Sequence, residues 1–192
     1  MAREYVGEQD GNGDDDLFIT VLSGGTTFAE LFLNNLARLG YGEHSAKDNI
    51  GVSSYGRETE SSKKPIIIQN LKNPERVQGK KVKILEDIRD TGISLEEIIS
   101  HLEELGAVSI EVIALLSKPE AEEVQSRVPT RIGFNIPKTF VVGEGIDWAY
   151  HYRNLLGIWK IVKHKNGIKR DSRGWFAKNL EKANVWVDRL VA

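Results

Sequence analysis

The sequence predicts an α/β fold in which a mainly parallel, twisted sheet is flanked by helices on both faces. Short apolar runs rich in β-branched residues alternate along the chain with longer segments whose apolar residues recur at helical spacing. This alternation is typical of parallel sheets. The 192 residues are 40% hydrophobic and 28% charged, an ordinary balance for a folded domain. A chain of this length can bury a sizeable core without disulfides or a structural metal.

The first predicted strand is LFITVL, residues 17–22, which ends at a Ser-Gly-Gly sequence. Its short apolar run is typical of a buried strand. Residues 26–39 follow with apolar side chains three and four positions apart, which predicts a helix that Gly40 ends. NIGVSSYG, residues 49–56, reads as a strand and a turn, and the polar stretch at residues 57–64 indicates a loop.

The middle of the chain repeats the same alternation. Strands are predicted at residues 65–71 and 80–85, and the second of these runs directly into acidic residues. Leucine and isoleucine then recur at helical spacing over residues 94–105, and Gly106 closes this second helix. SIEVIALLSK, residues 109–118, is predicted to be the next buried strand.

The last third of the chain contains shorter predicted elements. Residues 130–147 read as a strand, a proline turn and a second strand, and residues 157–164 as a final strand. An amphipathic helix is predicted after Ser172, a candidate N-cap. We expect this helix to pack on its own domain or, alternatively, against another subunit. Its apolar face consists of Phe176, Leu180, Ala183, Val187 and Leu190.

Composition excludes several classes of site and partner. The chain has no cysteine, which rules out disulfides, thiolate metal sites and a cysteine nucleophile. The formal charge of −2 and the pI near 6.1 do not favour nucleic acid or a membrane surface as a partner. No apolar run is long enough to span a bilayer or to form a signal core. We therefore expect a cytoplasmic protein that binds neither nucleic acid nor membrane.

KILEDIRDTGIS, residues 83–94, concentrates acids at the end of a predicted buried strand. Glu86, Asp87 and Asp90 would cost free energy there unless something pairs with them, so this stretch indicates a ligand. Backbone amides and hydroxyls of residues 90–94, at the start of a helix, can hold a phosphate. The neighbouring carboxylates can bond sugar hydroxyls or Mg²⁺. An acidic, N-capped helix start accounts for these residue types about equally well.

A second strand end carries a pair of glycines within LSGGTTF, residues 22–28. Paired glycines let the backbone approach an anion closely. Taken alone, a tight turn between a strand and a helix explains them at least as well.

Four ordered segments resemble the type I phosphoribosyltransferases. KILEDIRDTGIS resembles the phosphoribosyl pyrophosphate signature of that family, VLSGG its first pyrophosphate-side loop, and VSSYGRETESS its Ser-Tyr lid. LLSK followed by GFNIPKTFVVGEGIDWAYHYRNL is similar to the purine-binding region of the hypoxanthine-guanine phosphoribosyltransferases. The resemblance covers about residues 17–162 and implies the type I phosphoribosyltransferase fold with a small hood over the purine.

The resemblance also implies which residues bind the sugar phosphate. Glu86 and Asp87 would contact the ribose hydroxyls, directly or through Mg²⁺. The 5′-phosphate would be held by the phosphate loop, which consists of Thr91, Gly92, Ile93 (through its backbone) and Ser94. The pyrophosphate side would consist of Ser23, Gly24 and Arg153.

For the purine, the resemblance implies that Lys118 donates to the 6-oxo group and that Asp90 acts near N7 as general base or charge stabiliser. Phe140 would stack on the base, and the backbone of Val141 would bond its edge. Asp147 would support a second Mg²⁺. The residues of the closing lid would be Ser54 and Tyr55.

The chain departs from the family pattern at Ser23, where the family usually has lysine or arginine. One cation on the pyrophosphate side is therefore missing. The segment before the first strand is also short compared with larger members, which implies a reduced hood. We expect a phosphoribosyltransferase domain at residues 1–162 and an amphipathic helical extension at residues 163–192.

These expectations describe a purine salvage enzyme. It would convert a 6-oxopurine (hypoxanthine, guanine or xanthine) and phosphoribosyl pyrophosphate to a nucleoside monophosphate and pyrophosphate, with Mg²⁺ as cofactor and as a homo-oligomer. The alternative is a regulatory or effector-binding module that kept the nucleotide site and lost efficient catalysis. Ser23 favours this alternative, whereas Asp90 and Lys118 argue against it.

Overall fold

The computed structural model describes residues 1–53, 65–148, 150–164 and 167–170. The chain divides into two compact units, Met1–Pro137 and Lys138–Ala192, and each unit is described by itself. The predicted lid residues Ser54 and Tyr55 lie outside the described residues, as does the predicted C-terminal helix. The domain boundary expected after residue 162 stays a prediction.

The first unit is built from helices and strands that alternate along the chain. Its helices are α1 (Ala2–Gly7), α2 (Gly25–Arg38) and α3 (Ile93–Glu104). Its strands are β1 (Asp16–Leu22), β2 (Ala46–Ser53), β3 (Ile66–Gln69), β4 (Lys81–Arg89), β5 (Ser109–Ser117) and β6 (Thr130–Asn135). The strands and helices predicted between residues 17 and 135 are all found here.

The strands of the first unit form one six-stranded sheet in the order β3-β2-β1-β4-β5-β6. Neighbouring strands are parallel except β2 and β3, which are antiparallel. The predicted mainly parallel sheet is therefore confirmed. From β1 the chain proceeds to β2 and β3 on one side, whereas β4, β5 and β6 lie on the other side. The carboxyl ends of β1 and β4 thus flank a topological switch point, where open α/β sheets bind their ligands.

Side chains of each strand alternate between the two faces of the sheet, and a hydrophobic core covers each face. On one face Ile19 and Ile84 pack in the cluster that contains the apolar residues of α3. On the other face Phe18 and Leu85 pack in the cluster that contains α1 and α2 residues. Each fully buried side chain of this size contributes roughly 1.5–3 kcal/mol. The two cores together hold the sheet between its helices.

Glycine ends both long helices in the same way. Gly40 and Gly106 follow α2 and α3 with φ of 72° and 87°, a left-handed conformation that glycine adopts without a steric penalty. After α2, the N–H of Tyr41 donates to the carbonyl of Leu36 at 3.0 Å. After α3, the N–H of Ala107 donates to the carbonyl of Leu102 at 3.1 Å. These bonds satisfy helix carbonyls and confirm the helix ends predicted from the two glycines.

Two elements of the first unit differ from the sequence-based expectation. Helix α1 was not predicted, because its six residues are too few to establish a helical period; it is held by tertiary contacts of the buried Tyr5 ring with Phe32 and Tyr41. Strand β4 does not end at Leu85 but continues through the acids to Arg89. It continues because its residues up to Arg89 keep pairing with β5, where Arg89 is opposite Ser117.

The second unit contains a small antiparallel sheet. Its strands are β7 (Val141–Val142), β8 (Trp159–His164) and β9 (Gly167–Arg170), in the order β7-β8-β9. Strand β9 was not predicted, whereas β7 and β8 were. Within the described ranges, none of the helices has the length and hydrophobicity needed to cross a bilayer.

Candidate active site

The candidate site of the first unit lies at the carboxyl ends of three adjacent parallel strands. Strand β1 ends at the Ser-Gly-Gly turn, β4 runs through the acids into the phosphate loop, and β5 ends just before Lys118. Because β1, β4 and β5 are neighbours in the sheet, these three strand ends meet at one edge. The residues that the sequence singled out in this unit are therefore brought together.

The acid pair, Glu86 and Asp87, is buried at the end of β4, with 8% and 7% of each residue exposed. The N–H of Asp87 donates to Oε1 of Glu86 at 3.2 Å. Burial raises the pKa of the Glu86 carboxyl well above its ordinary value, and the neighbouring Asp87 carboxyl raises it further. Two acids held side by side out of water carry an energetic cost that a bound cation or hydroxyl donor would relieve.

The Ser-Gly-Gly turn packs directly on the acid pair. A Cβ atom added to Gly24 would overlap the Asp87 carboxylate, and one added to Gly25 would lie 3.1 Å from the carbonyl oxygen of Leu85. A side chain at Gly24 would therefore displace the Asp87 carboxylate. Ser23, the residue before this close contact, is exposed. The paired glycines are thus explained by the approach of the turn to β4.

The phosphate loop forms the turn between β4 and α3. Gly92 is the N-cap of α3 and has φ of 84°, a value that favours glycine. The N–H of Glu96 donates to the Gly92 carbonyl at 3.1 Å, which begins the hydrogen-bond ladder of the helix. The first N–H groups of an α-helix point along its axis and suit an anion.

Lys118 and Asp90 form an ion pair beside the phosphate loop. The Lys118 Nζ lies 2.5 Å from Oδ2 of Asp90. The lysine side chain is 9% exposed and the aspartate side chain 47% exposed, so the pair has one face open to solvent. The donor expected for the 6-oxo group and the acceptor expected near N7 are thus in contact with each other.

The predicted site residues of the second unit form two local arrangements. Phe140 is 65% exposed, and its carbonyl accepts from the N–H of Ile161 at 3.0 Å. Val141 is buried in β7. Asp147 accepts from Nη2 of Arg153 at 2.8 Å through Oδ1 and from a backbone N–H through Oδ2. Asp147 and Arg153, predicted to act separately, are therefore bonded to each other.

Arg89 and Glu122 were not among the residues predicted for the site. Arg89 is 7% exposed and forms an ion pair with Glu122, which lies beyond β5. One sequence feature could have indicated Arg89: it is a charged residue inside a run that is otherwise buried. Such a residue requires a partner. The identity of that partner, however, depends on a contact across 33 residues.

The acid pair has the chemistry that a divalent cation requires. Among the described residues, no lysine, arginine or histidine pairs with Glu86 or Asp87. Across the same residues, no group of three or more metal-binding side chains is present. Mg²⁺ is commonly held by one or two carboxylates together with water and substrate phosphates. Glu86 and Asp87 fit that arrangement, whereas both oxygens of Asp147 already accept hydrogen bonds.

Comparisons with known proteins place the chain in a family. Residues 1–150 match the family described as "Phosphoribosyl transferase domain". The hypoxanthine-guanine phosphoribosyltransferase of Mycobacterium bovis is 37% identical over 160 residues, covering 78% of this chain and 75% of that protein. The hypoxanthine phosphoribosyltransferase of Trypanosoma cruzi, solved in complex with the product IMP, superposes with a TM-score of 0.66 at 27% identity and covers 82% of this chain and 81% of that one.

A further relative is much longer than this chain. The bifunctional protein TilS/HprT of Listeria innocua is 35% identical over 162 residues, which are 83% of this chain and 24% of that protein. The chain thus spans about a quarter of that relative's length. The family match and the identity to the Mycobacterium bovis protein agree with the strand-end geometry. The chain therefore belongs to the phosphoribosyl transferase domain family, among the hypoxanthine-guanine phosphoribosyltransferases.

Proposed function

We propose that the chain is a purine salvage enzyme that transfers the phosphoribosyl group of phosphoribosyl pyrophosphate to a 6-oxopurine. The observation that carries this proposal is the Lys118–Asp90 ion pair beside the phosphoribosyl pyrophosphate signature. A donor and an acceptor side by side match the 6-oxo group and the N7 position of hypoxanthine, guanine or xanthine. The relatives named above support a purine substrate.

The sugar phosphate binds along the end of β4 and the start of α3. Glu86 and Asp87 accept hydrogen bonds from the ribose hydroxyls or hold Mg²⁺ there. The phosphate loop holds the 5′-phosphate through backbone N–H groups and through the hydroxyls of Thr91 and Ser94. Mg²⁺, when bound, supplies positive charge that offsets the pyrophosphate oxygens. The raised pKa of Glu86 supports a site where the ionised carboxylate is stabilised by a cation or by hydroxyl donors of the substrate.

The base binds against Lys118 and Asp90. Lys118 donates to the 6-oxo group, and Asp90 accepts the N7 proton or stabilises positive charge on the imidazole ring. The exposed ring of Phe140 offers a stacking surface, and the Val141 backbone bonds the edge of the base. In the reaction a ring nitrogen attacks C1 of the ribose while the bond from C1 to the pyrophosphate breaks.

The remaining assignments concern the departing pyrophosphate. Arg153 contacts the negative charge of the pyrophosphate. Asp147, which pairs with Arg153, orients the guanidinium or supports a second Mg²⁺. Ser23 and Gly24, in the β1 turn, contact the pyrophosphate. Ser54 and Tyr55 close over the site and exclude water, which would otherwise capture the oxocarbenium-like sugar. The protein acts in the cytoplasm and as a homo-oligomer.

Radiolabelled base conversion tests this proposal against the regulatory alternative. Full-length protein is incubated with phosphoribosyl pyrophosphate, Mg²⁺ and one of hypoxanthine, guanine, xanthine or adenine. We expect conversion of at least one 6-oxopurine and none of adenine, because Lys118 donates to an oxo group. Tight binding of phosphoribosyl pyrophosphate without conversion of any base would instead support a regulatory module, for which Ser23 is the motivating residue. The comparisons lend that alternative no support.

A further inference from the structure

Arg89 is a buried cation at a position that no substrate explains. It lies at the end of β4, between the acid pair and the phosphate loop, and only 7% of it is exposed. A buried guanidinium must be paired and hydrogen-bonded, since its desolvation is otherwise costly. Its partners therefore identify what it holds in place.

The partners of the Arg89 guanidinium belong to the segment that follows β5. Its Nη1 pairs with Oε1 of Glu122, and its Nη2 donates to the carbonyl of Val124 at 2.8 Å. The same Glu122 oxygen accepts from the Ser117 hydroxyl at 3.1 Å. The guanidinium thus holds residues 118–124, the segment that begins with Lys118.

Backbone bonds join the same two segments. The N–H of Lys118 donates to the Arg89 carbonyl at 3.0 Å. The Thr91 carbonyl accepts from the N–H groups of Glu123 and Val124, both at 3.0 Å. The Val124 carbonyl also lies against Gly92, where an added Cβ would be 2.5 Å from it. The phosphate loop therefore rests on the segment that carries Lys118.

We propose that Arg89 is a positioning residue that fixes the 118–124 segment to the phosphate loop, so that Lys118 and the loop keep one relative geometry. This inference rests on the proposed function only for the ligands, which are the base at Lys118 and the 5′-phosphate at the phosphate loop. Arg89 itself touches neither substrate. Its planar fork bridges a side chain and a backbone carbonyl at once, an arrangement that the compact ammonium group of lysine reproduces only in part.

The chain offers a matched control in Arg127. Its guanidinium ties the same connection between β5 and β6 to α3, through Glu96 at 2.8 Å, Glu103 at 2.5 Å and the Ser100 hydroxyl at 3.1 Å. The Arg127 side chain is 43% exposed, and its partners lie on α3 rather than on the phosphate loop. Arg127→Met therefore loosens the connection without releasing the loop.

Steady-state kinetics of the full chain tests the role of Arg89. We expect Arg89→Met to raise KM about tenfold for both phosphoribosyl pyrophosphate and the base, since residues in one network are coupled. Arg89→Lys should recover part of this loss, and Arg127→Met should change either KM by less than about twofold. A fall in thermal stability of Arg89→Met with both KM values unchanged would overturn the inference. So would equal effects of Arg89→Met and Arg127→Met.

Amide hydrogen exchange provides a second measurement that needs no substrate. Arg89→Met should speed exchange at the amides of Lys118, Glu123 and Val124, which donate to the Arg89 and Thr91 carbonyls, whereas Arg127→Met should leave these amides unchanged. If Arg89→Met does not fold, Glu122→Gln replaces it with the same expectation. Unchanged exchange at the amides of Lys118, Glu123 and Val124 in the folded variant would contradict the positioning role. If the wild-type protein has no activity but Arg89→Met and Arg127→Met still differ in exchange as expected, the proposed function is overturned and this inference stands.

Discussion

The Lys118 ammonium lies 2.5 Å from the Asp90 carboxylate, although the two residues are 28 positions apart in the chain. Strand β5 delivers Lys118 and strand β4 delivers Asp90, and these strands are neighbours in the sheet. The pair therefore presents one donor and one acceptor at the same edge. Its two members can be tested separately, because they are proposed to act on different steps.

Lys118→Ala should impair binding of the base more than binding of the sugar. Loss of a donor to a buried oxo group costs on the order of 1–3 kcal/mol, so KM for the base should rise while KM for phosphoribosyl pyrophosphate stays close to wild type. Steady-state kinetics with each substrate varied in turn measures both values. The exposed Lys47 supplies the control substitution Lys47→Ala. Equal rises in both KM values would mean that Lys118 does not contact the base.

Asp90→Asn should slow the chemical step while both substrates still bind. Asparagine keeps the size and the capping ability of aspartate but removes the charge and the basicity. Loss of a general base typically costs about 10²–10⁴-fold in rate, and we expect kcat to fall within that range. Asp10→Asn, at an exposed acid, is the control. A kcat close to that of the wild type would leave Asp90 with only a structural role.

Glu86→Gln should stabilise the free protein at neutral pH. The pKa of Glu86 is raised by burial and by Asp87, so the folded state binds its proton more tightly than the unfolded state does. The contribution of Glu86 to stability is therefore fully present below the ordinary carboxyl pKa and is lost as pH rises through the folded-state pKa. We expect the variant to gain stability at pH 7, and we expect this gain to shrink near pH 4. Denaturant unfolding at both pH values measures it.

The same Glu86→Gln variant should bind phosphoribosyl pyrophosphate with Mg²⁺ more weakly, as measured by calorimetry. A gain in stability that accompanies a loss of binding is typical of groups kept for function. Glu104→Gln, on the exposed side of α3, is the control and should change neither quantity. If Glu86→Gln destabilises the protein equally at pH 7 and pH 4, ionisation of the buried carboxyl does not cost the folded state stability.

Asp48→Asn should remove stability at neutral pH and little of it in acid. Burial opposes ionisation of Asp48, but N–H groups of Asn49, Asn73 and Lys72 donate to the carboxylate, and its pKa is lowered overall. A lowered carboxyl pKa adds stability above the ordinary value of 3.8, and that stability is lost as pH falls through the folded-state pKa. We expect a loss of about 1–3 kcal/mol at pH 7.

Chemical unfolding of Asp48→Asn and wild type between pH 7 and pH 3 tests this expectation. The difference between the two proteins should narrow as the pH falls. The exposed acid Asp10 again supplies the control, and Asp10→Asn should follow the wild-type curve. A difference that stays constant over the whole range would show that the Asp48 charge is not what its backbone partners recognise.

The sequence alone determined the features that depend on neighbours along the chain. Alternating apolar runs predicted the strands, helical spacing predicted α2 and α3, and Gly40 and Gly106 predicted where these helices end. The order of the motifs indicated the family and the phosphate loop. These signals are readable because burial of one face imposes a short period on the residues that provide it.

Only the tertiary structure decided the contacts between segments far apart in the chain. No periodic pattern in the sequence indicates the ion pairs of Arg89 with Glu122 and of Lys118 with Asp90. The same is true of the short helix α1. Strand β4 extends through its acids because pairing with β5 outweighs the low strand preference of aspartate and glutamate. Ion pairs form where the order of strands in the sheet brings opposite charges together, and that order depends on the packing of the whole domain.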